Sequence, residues 1–303
     1  MISVNKYRNL TWIDVESPTA DETAHLVEEY GIPALASREL LTKTFRSKVD
    51  LYHNLIYIIL HFPKLHAKDT KSVEQEIDFL LGKDFLITVH YEKIDALAHC
   101  AQTFESHTII DKGSMGDHAG FLFFHLIKEL YKASMHELEE INRLLRVIEK
   151  NIFDGSEGKM VEAISTTNRK LLDFKQALRF HGDVLASFEL AGKQFYGESF
   201  SYYLSAISGE YNKVRNVLDG HKEILWDLRD TNDSLLSWKT NQTMKQLTIL
   251  TFIMLPLTLI TGIFGMNSDI IYINNTGDFF IVLGAMGCLA IFMFLYFKSK
   301  KWF

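Results

Sequence analysis

The spacing of apolar positions changes character along the chain, and each change marks a different kind of element. Over the first 115 residues the apolar positions come in short runs. Leu51–Phe62, Glu76–Leu81 and Phe85–His90 are rich in β-branched and aromatic residues and read as strands. Gly82-Lys83-Asp84 supplies a hairpin turn between the last two. Ser17-Pro18 predicts a helix start, as N-cap and first position, and Gly31 after Tyr30 predicts its end; Ile94–Phe104 also reads as helix. From Asp117 the period becomes helical. Phe121, Phe124, Ile127, Tyr131, Leu138, Ile141, Leu145 and Ile148 recur at three and four, as far as Phe153-Asp154-Gly155. Met160, Ile164, Leu171, Phe174, Leu178, Leu185 and Phe188 recur likewise, as far as Gly192. The spacing predicts two long helices paired antiparallel. A third helix begins near Ser199 and meets no proline before Pro256. Carried on to Phe264 it would extend about 99 Å, at about 1.5 Å per residue. Gly209 and Gly220 are the places where such a rod would kink.

The chain closes with two uncharged runs, Leu247–Phe264 and Phe279–Phe297, each close to the length of about 20 residues that a helix needs to cross a bilayer core. They differ in kind. The second is lipophilic throughout, with Gly284 and Gly287 placed for close helix packing. The first carries a small, polar stripe at alternating steps of three and four: Asn241, Met244, Thr248, Thr251, Leu255, Thr258, Gly262, Gly265. A polar stripe cannot face lipid, so it must face protein or water. The pattern divides the chain into an α/β domain over 1–115, a helical hairpin over 116–198 and a stalk helix over 199–246. A first span over 247–266, a loop over 267–278, a second span over 279–297 and a basic tail over 298–303 follow.

Charge sets orientation and removes several function classes. The formal net charge is -6, which argues against a nucleic-acid partner. The N-terminus lacks the apolar core of a signal peptide. Lys239 and Lys245 precede the first span and Lys298, Lys300 and Lys301 follow the second, while the loop between them has no Lys or Arg. By the positive-inside rule, both termini are expected in the cytoplasm of a multi-pass plasma (inner) membrane protein, with the lipid bilayer as a partner. No dinucleotide fingerprint, phosphate-binding lysine loop or nucleophile elbow is present, so neither an enzyme nor an organic cofactor is expected. None of the twelve histidines falls into a convincing tetrahedral metal pattern.

Gly265-Met266-Asn267 stands at the end of the first span. Together with Met244, Leu247, Pro256-Leu257-Thr258 and Gly262, followed by a second span and the basic Lys298-Ser299-Lys300-Lys301-Trp302 tail, it resembles the pore helix of the CorA family of magnesium channels. The detailed match covers about residues 230–303; upstream, only the organisation is similar. The resemblance implies an α+β cytoplasmic domain whose long stalk helix continues into the first of two C-terminal membrane helices. It also implies a funnel-like homo-oligomer, a pentamer, that conducts divalent cations down the electrochemical gradient. Mg²⁺, with Co²⁺ or Ni²⁺, would be the transported species, and Mg²⁺ a regulatory one as well. Because Mg²⁺ sheds its water reluctantly, neutral oxygens that hydrogen-bond the coordinated waters suit a conducting site better than carboxylates. Asn267 amides with Gly265 and Met266 would form that site, Thr258 and Thr251 would pass the ion on, and Asn241 would form an inner amide ring. Met244, Leu247 and Leu255 would gate by dewetting, and Asp230 would draw cations to the inner mouth.

The chain departs from the family in two places. The segment Leu204–Glu210 offers no match for the regulatory stalk aspartate, and after Asn267 the loop reads Ser268-Asp269-Ile270-Ile271 where the family has an aromatic and then Met-Pro-Glu. Asp269 and Asp278 are the acids left to replace the missing glutamate. Two other readings stay open: a ZntB-like Zn²⁺ transporter with proton coupling, and a non-conducting membrane-tethered scaffold.

Overall fold

The computed structural model describes residues 2–7, 9–64, 74–105, 118–265 and 276–300. The chain divides into two units, Met1–Arg229 and Asp230–Phe303.

The first unit is built on a six-stranded sheet: β1 (Ile2–Tyr7), β2 (Leu10–Glu16), β3 (Lys48–Leu51), β4 (Ile56–Pro63), β5 (Glu74–Leu81) and β6 (Phe85–His90), in the order β1-β2-β6-β5-β4-β3. The β2–β6 pair is parallel and every other pair antiparallel. Every residue of β4 is buried, so both faces of the sheet are covered. One face carries Ile13, Val15, Tyr57, Ile59, Leu80, Ile87 and Val89 against Leu26 of α1 (Ala20–Tyr30), Ala36 of α2 (Ala34–Glu39) and Leu40 just after it. The other face meets aromatic side chains of α4 (Ala119–Phe153) and α6 (His181–Tyr196). Phe123 lies edge-on to Phe79 at 5.1 Å and to Phe188 at 5.0 Å. A fully buried side chain of this size contributes about 1.5–3 kcal/mol. Helix α3 (Asp95–Glu105) follows β6, as the spacing predicts.

Several boundaries differ from the expected ones. Helix α1 is capped by Thr19, not Ser17. The Thr19 hydroxyl accepts from the Glu22 N–H, and the Glu22 carboxylate accepts from the Thr19 N–H at 2.9 Å, a capping box that the Thr-x-x-Glu spacing encodes. Ser17 is instead tied to the end of β6, its N–H to the His90 carbonyl and its hydroxyl to that of Tyr91. Gly31 ends α1 as predicted, at φ 65, where its N–H reaches the Val27 carbonyl. The Leu51–Phe62 run is not one strand. The chain reverses between Tyr52 and Leu55, whose backbones bond at 2.9 Å, and the Asn54 amide donates to the Tyr30 and Gly31 carbonyls. The Gly82 turn between β5 and β6 is as expected, with its N–H on the Phe85 carbonyl.

Helices α4 and α5 (Glu157–Ala177) pack on each other across the expected break after Phe153. The helix expected to continue to Gly192 breaks, however, at Leu178–Phe180, and α6 starts at His181. His181 is fully buried, its Nε2 2.8 Å from the His61 carbonyl and its Nδ1 2.8 Å from the Tyr131 hydroxyl. A carbonyl only accepts, so Nε2 carries the proton and Nδ1 accepts from Tyr131. Burial then drives the imidazole pKa down to about 4. Leu178 and Leu185 stay in register across the break, which is why the apolar period conceals it.

A short 3-10 turn (Glu198–Phe200) leads into α7 (Ser201–Phe264), a helix of 64 residues. It stays helical through Gly209, Gly220 and Pro256. In the first unit its inner stripe, Leu204, Ile207, Tyr211, Val214 and Leu218, is buried. Helix α8 (Thr276–Ser299) follows. Both α7 and α8 are long and apolar enough to cross a membrane.

Candidate functional site

The second unit contains the end of α7 and all of α8. Along α7, Ile249 is buried and Ile253, Pro256, Leu257 and Ile260 are half-buried. Along α8 the half-buried positions are Val282, Met286, Leu289, Ala290, Met293 and Phe297. Each set forms one stripe at helical spacing, and the rings of Phe252 and Phe297 approach to 6.4 Å between the two helices. From Asn241 to Phe264 the other residues of α7, Lys245 apart, are left open, while nearer the start of this unit Asn232 is buried and Thr231, Leu235 and Leu236 are half-buried.

That open side contains the stripe singled out from the sequence. Asn241, Met244, Leu247, Thr248, Thr251, Leu255, Thr258, Gly262 and Gly265 are all exposed in the single chain, with Leu255 at 62%. The helix therefore brings these positions, Leu247 apart at alternating steps of three and four, onto a side that α8 does not cover. Asp230, also exposed, lies about three turns before Asn241. Met266, Asn267 and Asp269 lie outside the described residues, and Asp278 is in the first turn of α8.

The threonines share one geometry that spacing alone does not reveal. The hydroxyl of Thr248 donates to the Met244 carbonyl at 2.8 Å, that of Thr251 to the Leu247 carbonyl at 2.9 Å and that of Thr258 to the Met254 carbonyl at 2.9 Å. Thr261, absent from the predicted set, donates to the Thr258 carbonyl at 2.9 Å. With each hydrogen committed to the helix backbone, the hydroxyl oxygen retains only lone pairs to offer outward. The stripe is thus a row of neutral acceptors spaced by apolar Met244, Leu247 and Leu255. Such acceptors suit a cation or its coordinated water rather than an anion.

Gly265 closes α7. Its N–H donates to the Thr261 carbonyl at 2.8 Å, and a Cβ added there would stand 2.9 Å from that same oxygen. Glycine is the residue that lets the helix end here without displacing its own backbone. Among the described residues, no three His, Cys, Asp or Glu side chains of one copy converge on a metal-sized site.

Comparison with known proteins agrees with this architecture. The chain matches the profile of the CorA-like Mg²⁺ transporter proteins over residues 7–300. It is 25% identical to the cobalt/magnesium transport protein CorA of Thermotoga maritima, over 96% of this chain and 83% of that protein. It is also 25% identical to its counterpart in Methanocaldococcus jannaschii, over 99% and 93%. The complete structure of the Methanocaldococcus jannaschii CorA magnesium transporter superposes with a TM-score of 0.83 at 22% identity, covering 98% of this chain and 93% of that one. The ZntB cytoplasmic domain of Vibrio parahaemolyticus shares the fold with a TM-score of 0.63 at 13% identity, over 76% and 89%. With one family profile spanning nearly its whole length, and an α/β unit leading through a long helix to two apolar spans, the chain belongs to the family of CorA-like Mg²⁺ transporters.

Proposed function

We propose that this protein is a homo-oligomeric channel for hydrated divalent cations, with Mg²⁺ as the transported ion and Co²⁺ or Ni²⁺ as further candidates. The observation that carries this reading is the uncovered stripe of α7, whose hydroxyl oxygens present acceptors only. A single stripe encloses nothing. Several copies of α7 around an axis would line a polar path, with α8 outside against lipid; five is the number the family resemblance implies. In this assembly Gly265, Met266 and Asn267 form the outer site, and Thr258 and Thr251 pass the ion inward. Asn241 forms an inner amide ring, Met244, Leu247 and Leu255 narrow the path with apolar rings, and Asp230 concentrates cations at the inner mouth. Lys239 and Lys245, before the first span, and Lys298 and Lys300, after the second, support by the positive-inside rule a topology with both termini on the cytoplasmic face of the inner membrane. The same layout assigns 1–115, 116–198 and 199–246 to the cytoplasmic side.

Influx needs no chemical motor, so the reading assigns no enzymatic step. A doubly charged ion gains about 4.6 kcal/mol per 100 mV of inside-negative potential. That favours accumulation by on the order of a thousandfold.

The test is isotope-free divalent uptake into proteoliposomes holding the full chain, with and without a pH gradient. Mg²⁺ uptake driven by potential alone is expected. Asn267→Ala should lower it by roughly tenfold or more, since a hydrogen bond to a charged group contributes about 1.5–3 kcal/mol. Proton-dependent Zn²⁺ uptake without Mg²⁺ flux would replace this reading with a ZntB-like transporter. Absence of flux for every divalent ion would leave a membrane-tethered scaffold.

A further inference from the structure

A cavity of about 920 Å³ opens in the first unit, away from the α7 stripe, between the edge of the sheet, the α5–α6 elbow and the beginning of α7. Its size is that of a small-molecule site. Cations crowd one side of it. Lys175 and Arg179, four residues apart at the end of α5, and Arg215 of α7 face the space, and Lys222 of α7 stands beside Lys175. Among the described residues, Lys175, Arg179 and Lys222 have no carboxylate within ion-pair distance. Only Arg215 has one, Asp219 at 3.8 Å. The neighbouring Lys175 ammonium, with some help from burial, pulls the Lys222 pKa down, the response of two like charges brought together, and the nearby Asp219 carboxylate opposes that shift without reversing it. The C-terminal turn of α5 accommodates Lys175 through its dipole, but Lys222 lies in the middle of a helix and gains nothing from that effect.

The acids of the cavity do not cancel these charges. Asp219 is taken by Arg215, Asp183 sits in the first turn of α6 where the helix N-terminus favours it, and Glu74 has an interaction of its own. The remaining wall mixes aliphatic residues such as Leu172, Leu178 and Leu218 with the aromatic rings of Phe45, Phe180 and Tyr211. Phe45 stands at the rim 91% exposed, an unusual position for so large an apolar ring, and Phe180 lies under the Arg179 guanidinium at 5.2 Å. Clustered cations beside an exposed aromatic ring match a ligand with a multiply charged end and a flat, stackable end.

We propose that this cavity binds a nucleoside polyphosphate, its phosphates on Lys175, Arg179 and Lys222 and its base against Phe45. The site is independent of the conduction reading, because it is formed by other residues and is measured by binding rather than by flux.

The experiment is calorimetric titration of the purified full-length protein in mild detergent with ATP, inorganic triphosphate, orthophosphate and adenosine, each in EDTA at low salt. Saturable binding of ATP is expected, with triphosphate weaker and adenosine and orthophosphate weaker still. A Lys175→Met, Lys222→Met double variant should weaken ATP at least tenfold while its thermal melting stays that of the parent. Arg179→Gln provides an independent check in a separately folded variant. Phe45→Ala should weaken ATP and leave triphosphate unchanged. No saturable ATP binding, ATP affinity indifferent to the lysine and arginine variants, or adenosine binding as tightly as ATP would each overturn the proposal. A Phe45→Ala protein that binds ATP like the parent would overturn its nucleotide half.

Discussion

In the first unit Trp12, Phe79 and Phe123 are fully enclosed by their own chain, whereas in the second Phe279, Phe280 and Phe292 stand 57%, 67% and 67% exposed. The side chains are alike, and the difference is what completes each unit. Six strands with helices on both faces leave no apolar surface of β4 uncovered, so one copy suffices for a core. Two helices can bury only one stripe of each against the other, and the remainder of α8 is apolar all round. Such a surface requires lipid or further copies of the chain. The second unit is therefore half of a structure, and its polar α7 stripe and its apolar α8 exterior ask for two different surroundings.

The largest expected effect tests this contrast directly. Phe123→Ala should destabilise the full-length protein by about 3–5 kcal/mol, since the ring leaves a cavity between Phe79 and Phe188. Phe292→Ala, on the open side of α8, removes a ring that contacts only its surroundings and should cost under about 1 kcal/mol. Denaturant titration of both variants in the same detergent compares them. Equal losses would mean that α8 is packed as tightly as the sheet, and the contrast would collapse.

The same contrast explains what was legible in the sequence. Elements whose pattern is local were readable: β6 at Phe85–His90, the end of α4 at Phe153 and the Gly31 stop each have their signal within a few residues. The Thr19-x-x-Glu22 box was equally local, and Pro18 beside it supplied a competing signal. The break at Leu178–Phe180 had no local signal, because it exists to place His181 against His61, distant in the chain. In the second unit the stripe was legible at every step, since a span in lipid writes its polar face into the spacing. The direction of the threonine hydrogens follows from residue chemistry rather than from spacing: Thr248 and Thr251 are expected to bond their own helix backbone in a membrane span, and they do, as does Thr258.

A smaller effect follows from His181 and belongs to the first unit alone. Its folded pKa of about 4 lies below the ordinary value of 6.5, chiefly through desolvation, with the His61 carbonyl bond opposing. Folding thus favours the neutral ring. That contribution is fully present above about pH 6.5 and is lost as pH falls toward 4. The span of 6.5 minus 4 corresponds to about 3 kcal/mol. His61 and His90 shift the other way: burial by itself lowers them, but their carboxylate and carbonyl partners together outweigh it and raise them, so they lose their contribution as pH rises instead. His181→Gln isolates the first effect. Its deficit relative to the parent in unfolding free energy should shrink by about 3 kcal/mol between pH 6.5 and pH 4. A deficit that stays constant across that window would show the ring to be titrating as it does in water.

The smallest stability effect, and the sharpest separation of packing from conduction, comes from Thr251→Val and Thr258→Val. Each hydroxyl donates to a carbonyl of its own helix, at 2.9 Å, and that carbonyl also belongs to the regular helical ladder. Removing the hydroxyl leaves no buried group without a partner, and valine keeps the shape. The loss should be near 0.6 kcal/mol, the average for side-chain hydrogen bonds within membranes. On the proposed conduction path, uptake would respond to something else, the lone pairs directed away from the backbone. A row of copies around an axis multiplies each lost acceptor, so Mg²⁺ flux in proteoliposomes should fall severalfold while the melting temperature hardly moves. The opposite outcome, unchanged flux with a stability loss above about 2 kcal/mol, would make these threonines packing groups between helices. The open side of α7 would then be a protein interface rather than a path for ions.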